Sequence, residues 1–312
     1  METDWDVVVA GGGAAGLSAA LLLGRARRRV LAVDAGEQRN RVAEHMHGVL
    51  GHDGIAPSAL IALGRDEIAR YGVEHVSSAV VDITDVGRAL AVGLGSGRRL
   101  RTRALVVATG ARDELPDIPG LAEHWGTGVV LCPYCHGWEV RDQRLGVLAT
   151  SPMGVLKAPL IRQWSDRVVL FAARSGELTD DDERRLRARG IGVVTSPAVE
   201  LVTEHDRVAG MRTADGHVHP IDALFTESRI VPRDELLAGL ELARTEGPFG
   251  SFLAVDETGR TSHPRIWAIG NVSNPAATVP MATGAGALAA GFVNMALVTE
   301  DVDDAVELAG AA

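Results

Sequence analysis

The chain has little cysteine, no excess of basic charge and no long apolar run, and each shortage excludes a class of protein. Two cysteines in 312 residues are too few for a disulfide-stabilised scaffold. The formal net charge of −10 speaks against the concentrated basic face that nucleic-acid binding requires. No apolar stretch is expected to reach the ~18 residues of a membrane span. We therefore expect no nucleic-acid partner and no membrane partner.

Glycine and apolar residues, in contrast, are abundant. The 36 glycines and 46 % hydrophobic residues suit an α/β protein with many tight connections between strands and helices. A length of 312 residues allows two domains, each with its own core. The acidic start over residues 1–6 runs directly into a strand, which argues against a secretory signal and predicts a cytoplasmic location.

The N-terminal part carries a dinucleotide-binding pattern. A strand over Val7–Ala10 leads into Gly11-x-Gly13-x-x-Gly16, and a helix and a second strand follow. The first glycine permits a tight turn, the second lets backbone N–H groups approach a diphosphate, and the third lets helix and strand pack closely. Asp34 closes the second strand and can accept hydrogen bonds from ribose hydroxyls. The contacts predicted here are Gly11, Gly13, Ala14, Ala15, Gly16 and Asp34.

Two later motifs favour FAD as the dinucleotide. Ala108-Thr109-Gly110 and Ile269-Gly270-Asn271-Val272 resemble the later signatures of flavoproteins with two dinucleotide-binding domains. Asn271 replaces the aspartate that binds the ribityl chain there, and its amide can still hydrogen-bond a hydroxyl. A helix over 280–298 either aims its first N–H groups at the flavin or serves as a plain packing helix. The further predicted FAD contacts are Asn40, Ala108, Thr109, Gly110, Gly270, Asn271, Thr278 and Val279.

The motif Cys132-Pro-Tyr-Cys135-His136 predicts redox chemistry. It starts a short predicted helix, whose N-terminus stabilises a thiolate, and its spacing allows an easily reduced disulfide. His136 is suited to move protons near neutral pH. Zinc would need four ligands and no second Cys-x-x-Cys occurs, while the proline and the polar neighbours disfavour two buried structural thiols. We predict Cys132, Cys135 and His136 as catalytic residues, and no metal.

Together these motifs resemble the low-molecular-weight thioredoxin reductases over nearly the whole chain. The resemblance implies an α/β fold of two Rossmann-like, three-layer dinucleotide-binding domains. It implies a discontinuous FAD-binding domain over 1–115 and 244–312, and a middle domain over 116–243 that carries the cysteine pair. It also implies that Cys135 faces the flavin and that Cys132 exchanges with the substrate. His136 occupies the position of an aspartate in that family.

The segment that would bind NADPH departs from this family. After a strand predicted over Leu145–Thr150, residues 151–157 contain one glycine and a proline. Side chains at such positions keep the backbone away from a diphosphate. Arg174 alone stands where the family has a basic cluster for the 2′-phosphate. We therefore expect that NADPH does not bind and that electrons enter from thiols.

A Cys-Pro-Tyr-Cys-His-Gly motif with a degenerate nicotinamide site resembles the dithiol oxidases of disulfide-containing natural products such as holomycin and gliotoxin. The resemblance implies an FAD-dependent homodimer in antibiotic biosynthesis. Such an enzyme closes a disulfide in a small-molecule dithiol and passes the electrons to oxygen, which gives hydrogen peroxide. Two alternatives remain open: a disulfide reductase fed by NADPH, ferredoxin or another donor, and a non-catalytic flavin redox sensor.

Other residues carry weaker expectations. His45, His47 and His52 either line a substrate pocket or are ordinary loop histidines, with a metal role as a minor option. Trp138 is either a pocket wall or a core residue. The acidic stretch Glu300–Asp304 is predicted to be a solvated chain end.

Overall fold

The computed structural model describes residues 5–310, and the chain forms two compact units. Unit 1 consists of Met1–Arg41, Pro57–Arg112 and Ile230–Ala312, and unit 2 of Val42–Ala56 and Asp113–Arg229. Residues 1–4, which hold most of the predicted acidic start, and residues 311–312 lie outside the described residues.

The predicted domain bounds differ from these units in three places, the smallest being residues 113–115, which fall in unit 2. Residues 42–56 belong to unit 2, where a Cβ on Gly126 would lie 2.6 Å from the Val42 side chain. The chain returns to unit 1 at Ile230 and not at 244, because Leu236 and Leu237 are buried in the core of unit 1. Neither packing contact follows from a local sequence pattern.

Strands and helices alternate along much of the chain. The first part contains β1 (Trp5–Ala10), α1 (Ala14–Arg25), β2 (Val30–Asp34), α2 (Pro57–Ala69), β3 (Glu74–Ser77), β4 (Val80–Asp85), β5 (Leu90–Leu94), β6 (Arg99–Val107) and β7 (Ala111–Glu114). The middle part contains β8 (Val129–Val130), α3 (Pro133–His136), β9 (Leu145–Leu148), α4 (Pro152–Ile161), β10 (Val168–Phe171), α5 (Asp180–Ala188), β11 (Gly192–Val194), β12 (Ala198–Glu204), β13 (Arg207–Thr213), β14 (Val218–Pro220) and β15 (Ala223–Thr226). The last part contains β16 (Arg229–Pro232), β17 (Arg244–Gly247), β18 (Gly250–Leu253), β19 (Ile266–Ala268) and α6 (Val279–Gly310), with 3-10 turns at Glu235–Leu237 and Gly270–Val272.

A seven-stranded sheet forms the centre of unit 1. Its order is β3-β2-β1-β6-β5-β4, and β19 pairs with the second half of β6. The strands β3, β2, β1, β6 and β19 run parallel, β5 pairs antiparallel with β6, and β4 pairs antiparallel with β5. Residues Val7–Ala10 of β1 are fully buried, which is why this strand is apolar on both faces and shows no alternation.

Unit 2 repeats the parallel arrangement on a smaller scale. Its five-stranded sheet has the order β11-β10-β9-β15-β8, with every pair parallel. A separate antiparallel sheet has the order β12-β13-β14. Among residues 5–310, β7 also pairs with β16, and in unit 1 β17 pairs with β18. The predicted α/β fold with two Rossmann-type sheets is therefore confirmed.

Helix α6 corrects two expectations. Its 32 residues are long and apolar enough, by length and composition, to cross a membrane, although no stretch was expected to reach that size. Its inner face nevertheless packs in the core of unit 1, where Ala289, Val293 and Leu297 are buried. The acidic stretch near its end is not simply solvated, because Glu300 accepts hydrogen bonds from Arg103 at 2.9 Å and from Arg265 at 2.7 Å.

Candidate functional site

The turn between β1 and α1 depends on two glycines. Gly11 has a φ of +111°, and a Cβ there would lie 2.2 Å from the carbonyl oxygen of Ala108. A Cβ on Gly16 would lie 1.9 Å from the carbonyl oxygen of Gly11. Side chains at either position would push the strand, the turn and the helix apart, as the motif predicts.

Gly13 has a different purpose, since a Cβ there would meet no atom of the protein within 4 Å. It is the N-cap of α1, and no side chain caps the helix. The first N–H groups of a helix have no intrahelical partner and carry a partial positive charge. The turn therefore leaves donors and open space at the same point, which fits the diphosphate of a dinucleotide.

Asp34 ends β2 with a buried, ionised carboxylate. It accepts hydrogen bonds from Arg65 Nη2 at 2.7 Å, Gln38 Nε2 at 2.9 Å and Gly36 N at 3.1 Å. Burial raises the pKa of Asp34, but the hydrogen bonds from Gly36 and Arg65 outweigh it and hold the pKa below its usual value. The sequence analysis missed Arg65 and Gln38, because neither belongs to the glycine motif.

The segment after β6 joins the predicted cofactor residues to the return segment of unit 1. Thr109 Oγ1 donates to the carbonyl oxygen of Arg233 at 2.6 Å, and Arg233 N donates to Gly110 O at 3.0 Å. Ala108 N donates to Ala10 O at 2.7 Å, which keeps this segment beside the first turn. Gly110 has a φ of +72°, a conformation that favours glycine.

Asn271 organises the loop that precedes α6. Its Nδ2 donates to three carbonyl oxygens, those of Asn274 at 3.0 Å, Pro275 at 3.3 Å and Ala277 at 3.0 Å. An aspartate has no hydrogen to donate when ionised, so it could not make these bonds. The departure from the flavoprotein signature thus has a local structural cause.

The other predicted cofactor residues lie on the same unit. Gly270 has a φ of +71°, Thr278 O accepts the bond from Ala282 N at 2.8 Å, and Val279 is the first residue of α6. Asn40 lies half-buried in the loop after β2. The carboxyl ends of β1, β2, β6 and β19 lie at one edge of the parallel sheet, so the predicted residues that follow these strands share that edge.

The cysteine pair belongs to unit 2, where it begins the short helix α3 as predicted. Cys132 is the N-cap and Pro133 is the first helical residue. Both cysteines are present as free thiols and are half-buried. Cys135 N donates to Cys132 O at 3.3 Å, which closes the turn that brings the two side chains together.

The two thiols have opposite acidities. A hydrogen bond from the Cys135 side chain lowers the pKa of Cys132 to about 6, and backbone N–H groups of Cys135 and Tyr134 and the charge of Lys157 add to this against the effect of burial. The same bond, together with burial, raises the pKa of Cys135. Cys132 is therefore the thiolate of the pair at neutral pH, and thus the better nucleophile of the two.

His136 is neutral at the end of this motif. Both of its ring nitrogens are buried, and among residues 5–310 neither makes a hydrogen bond of normal geometry, although the Cys132 backbone lies close to the ring. Burial lowers its pKa, although the Cys132 backbone and the nearby Glu139 act in the opposite direction. A neutral imidazole without a partner can accept a proton from a thiol, which suits the predicted acid–base role.

Lys157 is a site residue that the sequence analysis missed. Its Nζ donates to Leu131 O at 3.3 Å and to Thr226 O at 3.0 Å, so it binds the residue before Cys132 to the end of β15. Burial lowers its pKa, and the charges of Glu227 and Cys132 oppose this. The signal was visible: of 31 lysines and arginines in the chain, Lys157 is the only lysine.

The loop over 42–56 brings one predicted histidine to this unit's cysteine motif. His47 Nε2 lies 3.4 Å from Glu139 Oε1, and its Nδ1 lies 3.4 Å from Asp53 Oδ2. His45 and His52 are exposed. In the part of the chain that the structure describes, no group of three or more His, Cys, Asp or Glu side chains is arranged to hold a metal ion.

Trp138 is not a core residue, since 66 % of it is exposed. The guanidinium of Arg141 lies over its ring, 4.3 Å from the centroid. Tyr134, between the two cysteines, is also exposed and packs edge-on against Trp164 at 5.7 Å. Two exposed aromatic side chains thus lie within the cysteine motif or close to it in sequence.

Residues 5–286 match the sequence profile of the pyridine nucleotide-disulphide oxidoreductases. The chain belongs to this family. It is a family of flavoprotein oxidoreductases. Thioredoxin reductase tcpT of Claviceps purpurea is 30 % identical over 314 residues and is matched over 95 % of both chains.

Solved structures agree with this assignment. The crystal structure of HlmI is 50 % identical with a TM-score of 0.93, covering 98 % of this chain and 96 % of that one. An oxidoreductase from Agrobacterium tumefaciens is 39 % identical with a TM-score of 0.88, covering 95 % of this chain and 99 % of that one. The predicted likeness to thioredoxin-reductase-like enzymes is confirmed.

Proposed function

We propose that the protein is an FAD-dependent dithiol oxidase, which closes a disulfide in a small-molecule dithiol and uses oxygen as the electron acceptor. The observation that carries the proposal is the polarised thiol pair at the N-terminus of α3, with the neutral, unpartnered His136 behind it. The direction of electron flow rests on the turn after β9. That turn presents Ser151 and Pro152 where the turn after β1 presents glycines.

In the first step, a substrate thiolate attacks the sulfur of Cys132 in the oxidised pair. The bond between Cys132 and Cys135 breaks, and a mixed disulfide forms between the substrate and Cys132. The sulfur of Cys135 leaves with the electron pair and then takes up the proton that the first substrate thiol has released, because the pKa of Cys135 is raised in the reduced pair. The low pKa of Cys132 reflects contacts that stabilise negative charge on its sulfur, and these contacts prepare the second step.

In the second step, the other substrate thiol gives its proton to His136 and attacks the substrate sulfur of the mixed disulfide. The product disulfide forms and Cys132 leaves as a thiolate. The substrate has then lost two electrons and two protons, and the protein disulfide has gained the two electrons. Bound FAD would accept these electrons from the dithiol and deliver them to oxygen, which becomes hydrogen peroxide.

The residues that would hold FAD belong to unit 1. The first N–H groups of α1 and the open space at Gly13 fit the diphosphate. Asp34 is ionised and can accept hydrogen bonds from a ribose, although Arg65 already uses one of its oxygens. The amide group of Asn271 fixes the loop before α6, and its oxygen is the atom suited to accept a ribityl hydroxyl.

One anaerobic experiment tests this function. The purified FAD-loaded protein is mixed first with NADPH and then with dithiothreitol, and the visible flavin absorbance is followed. We expect no change in the absorbance with NADPH and bleaching with the dithiol. When oxygen is admitted, the absorbance should recover and hydrogen peroxide should be released. Bleaching by NADPH would support a reductase instead, and no bleaching by dithiols would support a redox sensor.

We also propose that the protein is a homodimer that pairs through α6. Large apolar side chains recur on the exposed side of this helix at intervals of three, four or seven residues. They are Met281, Leu288, Phe292, Met295, Val298, Val302 and Val306, and the exposed Leu308 lies outside this spacing. An exposed stripe of this kind is typical of an interface between helices. Light scattering should give twice the chain mass, and a Leu288→Arg, Met295→Arg double variant should give the monomer mass.

A further inference from the structure

The turn between β9 and α4 already contains an anion, the carboxylate of Glu227. This residue directly follows β15, the strand that pairs with β9. Its Oε2 accepts hydrogen bonds from Thr150 N at 2.9 Å and from Ser151 N at 3.1 Å. The hydroxyl of Thr150 also donates to Oε2, at 3.2 Å, and the hydroxyl of Ser151 donates to Oε1, at 2.7 Å. Four donors thus surround one carboxylate.

Every N–H group in this turn has a partner inside the protein. Those of Thr150 and Ser151 go to Glu227, and Pro152 has no N–H group. Met153 N donates to Ser151 Oγ at 3.2 Å, and Gly154 N donates to Ser151 O at 3.0 Å. No donor of the turn is left for a phosphate.

The glycine of this turn makes room for the carboxylate. A Cβ on Gly154 would lie 2.2 Å from Glu227 Oε2, well inside van der Waals contact. In a nucleotide-binding turn the third glycine lets the helix pack on the strand. Here the same small residue admits an acidic side chain from the neighbouring strand.

We propose that Glu227 is an internal substitute for the diphosphate of a pyridine dinucleotide, and that it closes unit 2 to NADPH. The turn from a parallel strand to the N-terminus of a helix attracts an anion. Glu227 satisfies that attraction within the chain, so an external diphosphate would meet both a like charge and a lack of donors. The inference rests on the proposed function, because it names the residue that excludes nicotinamide as the source of electrons.

The test asks whether removal of the carboxylate opens a site for a small anion. The FAD-loaded wild type, Glu227→Ala and Glu200→Ala are heated with sodium formate, sodium pyrophosphate or matched sodium chloride. Glu200 is a control because it is an exposed carboxylate of the same unit, paired with Arg212 at 2.7 Å. We expect formate or pyrophosphate to raise the melting temperature of Glu227→Ala by about 2–4 °C. The wild type and Glu200→Ala should show no such rise over the chloride control.

If a folded Glu227→Ala variant did not respond to either anion over the chloride control, the proposal would be wrong. If Glu227→Ala does not fold, Glu227→Gln provides the measurement. Its amide has one acceptor oxygen where the carboxylate has two, so it cannot accept all four hydrogen bonds. It should melt several degrees below Glu200→Gln, and equal melting would contradict the proposal.

The outcome is separate from the test of the proposed function. Anion-dependent melting needs no dithiol, no oxygen and no turnover. If the wild-type flavin is bleached by dithiothreitol but Glu227→Ala binds no anion, only the role of Glu227 fails. If Glu227→Ala binds anions but dithiothreitol does not bleach the flavin, only the oxidase function fails.

Discussion

The turn after β1 and the turn after β9 both lead from a parallel strand into a helix, but their backbone donors have different partners. The first turn has Gly13 as N-cap, no capping side chain, and open space in front of the helix. The second has Ser151 as N-cap, and its N–H groups are used by Glu227 and by the turn itself. The same supersecondary unit therefore provides an open anion site in one place and a closed one in the other.

The closed turn keeps a purpose in the thiol chemistry. Helix α4, which starts at this turn, carries Lys157 to the backbone beside Cys132. Its positive charge is one of the contributions that lower the pKa of Cys132. A turn whose backbone donors are used inside the protein can thus still begin a helix that brings a positive charge to a neighbouring thiol pair.

The largest expected effect is a loss of dithiol oxidation when either cysteine of unit 2 is replaced, while flavin binding by unit 1 is kept. Cys132→Ser and Cys135→Ser should each lower dithiol oxidation on the order of 10³-fold or more, because no disulfide can form. Both variants should still purify with flavin, since the open turn is unchanged. Hydrogen peroxide release and the visible absorbance measure the two properties, and an active Cys132→Ser variant would refute the assigned role.

A carboxylate placed in the open turn should make it resemble the closed one. Gly13→Glu should weaken FAD binding by about 100-fold, because the charge and bulk occupy the space for the diphosphate. Titration of the apoprotein with FAD measures this affinity. The control, Gly13→Ala, should fold like the wild type, because a Cβ there meets no atom within 4 Å. A Gly13→Glu protein that purifies fully loaded would show that the turn is not the diphosphate site.

A methyl group added at Gly154, in the turn after β9, should displace the carboxylate of Glu227. Gly154→Ala should lower the free energy of unfolding by about 1–3 kcal/mol, since the new Cβ would approach Glu227 Oε2 to 2.2 Å. Denaturant unfolding measures the change. Gly291→Ala is the matched control, because it lies in α6 and a Cβ there meets nothing within 4 Å. Equal stability of the two variants would mean that Glu227 moves aside at no cost.

The smallest expected effect concerns the pH dependence of Cys132. Since its pKa is lowered to about 6, its alkylation by iodoacetamide should be slow below that pH and reach a plateau above it. Lys157→Met removes a positive charge that favours the thiolate, so the midpoint should rise and the rate at pH 6 should fall about two- to threefold. Lys157→Arg should retain most of the rate. An unchanged midpoint in Lys157→Met would show that the charge of Lys157 does not stabilise the Cys132 thiolate.

The sequence predicts the features that lie within short segments. The strand, the spaced glycines and the helix at Gly11–Gly16 define the first turn, and Cys132 at the start of a short helix defines the thiol site. Both features have fixed spacing and a known physical purpose, so they can be interpreted without a structure. The departure at residues 151–157 was visible for the same reason.

The contacts that the sequence does not predict join distant segments. Glu227 and Ser151 lie 76 positions apart and meet only because β15 pairs with β9, out of chain order. Asn271 is predicted as a cofactor contact, and only the fold shows that its amide N–H groups also bind carbonyl groups of its own loop. Lys157 stands out as a single lysine, but only the fold shows that it lies beside Cys132.

The position of β19 in the sheet has a consequence for the order in which the protein is made. This strand and α6 come after residue 265, but they complete the sheet beside β6 and cover α1. Unit 2 ends at Arg229, so all of its segments are synthesised before these elements. A nascent chain can therefore fold the helix that carries its two cysteines before the FAD-binding sheet of unit 1 is complete. We expect the coenzyme to bind at the end of translation or after release.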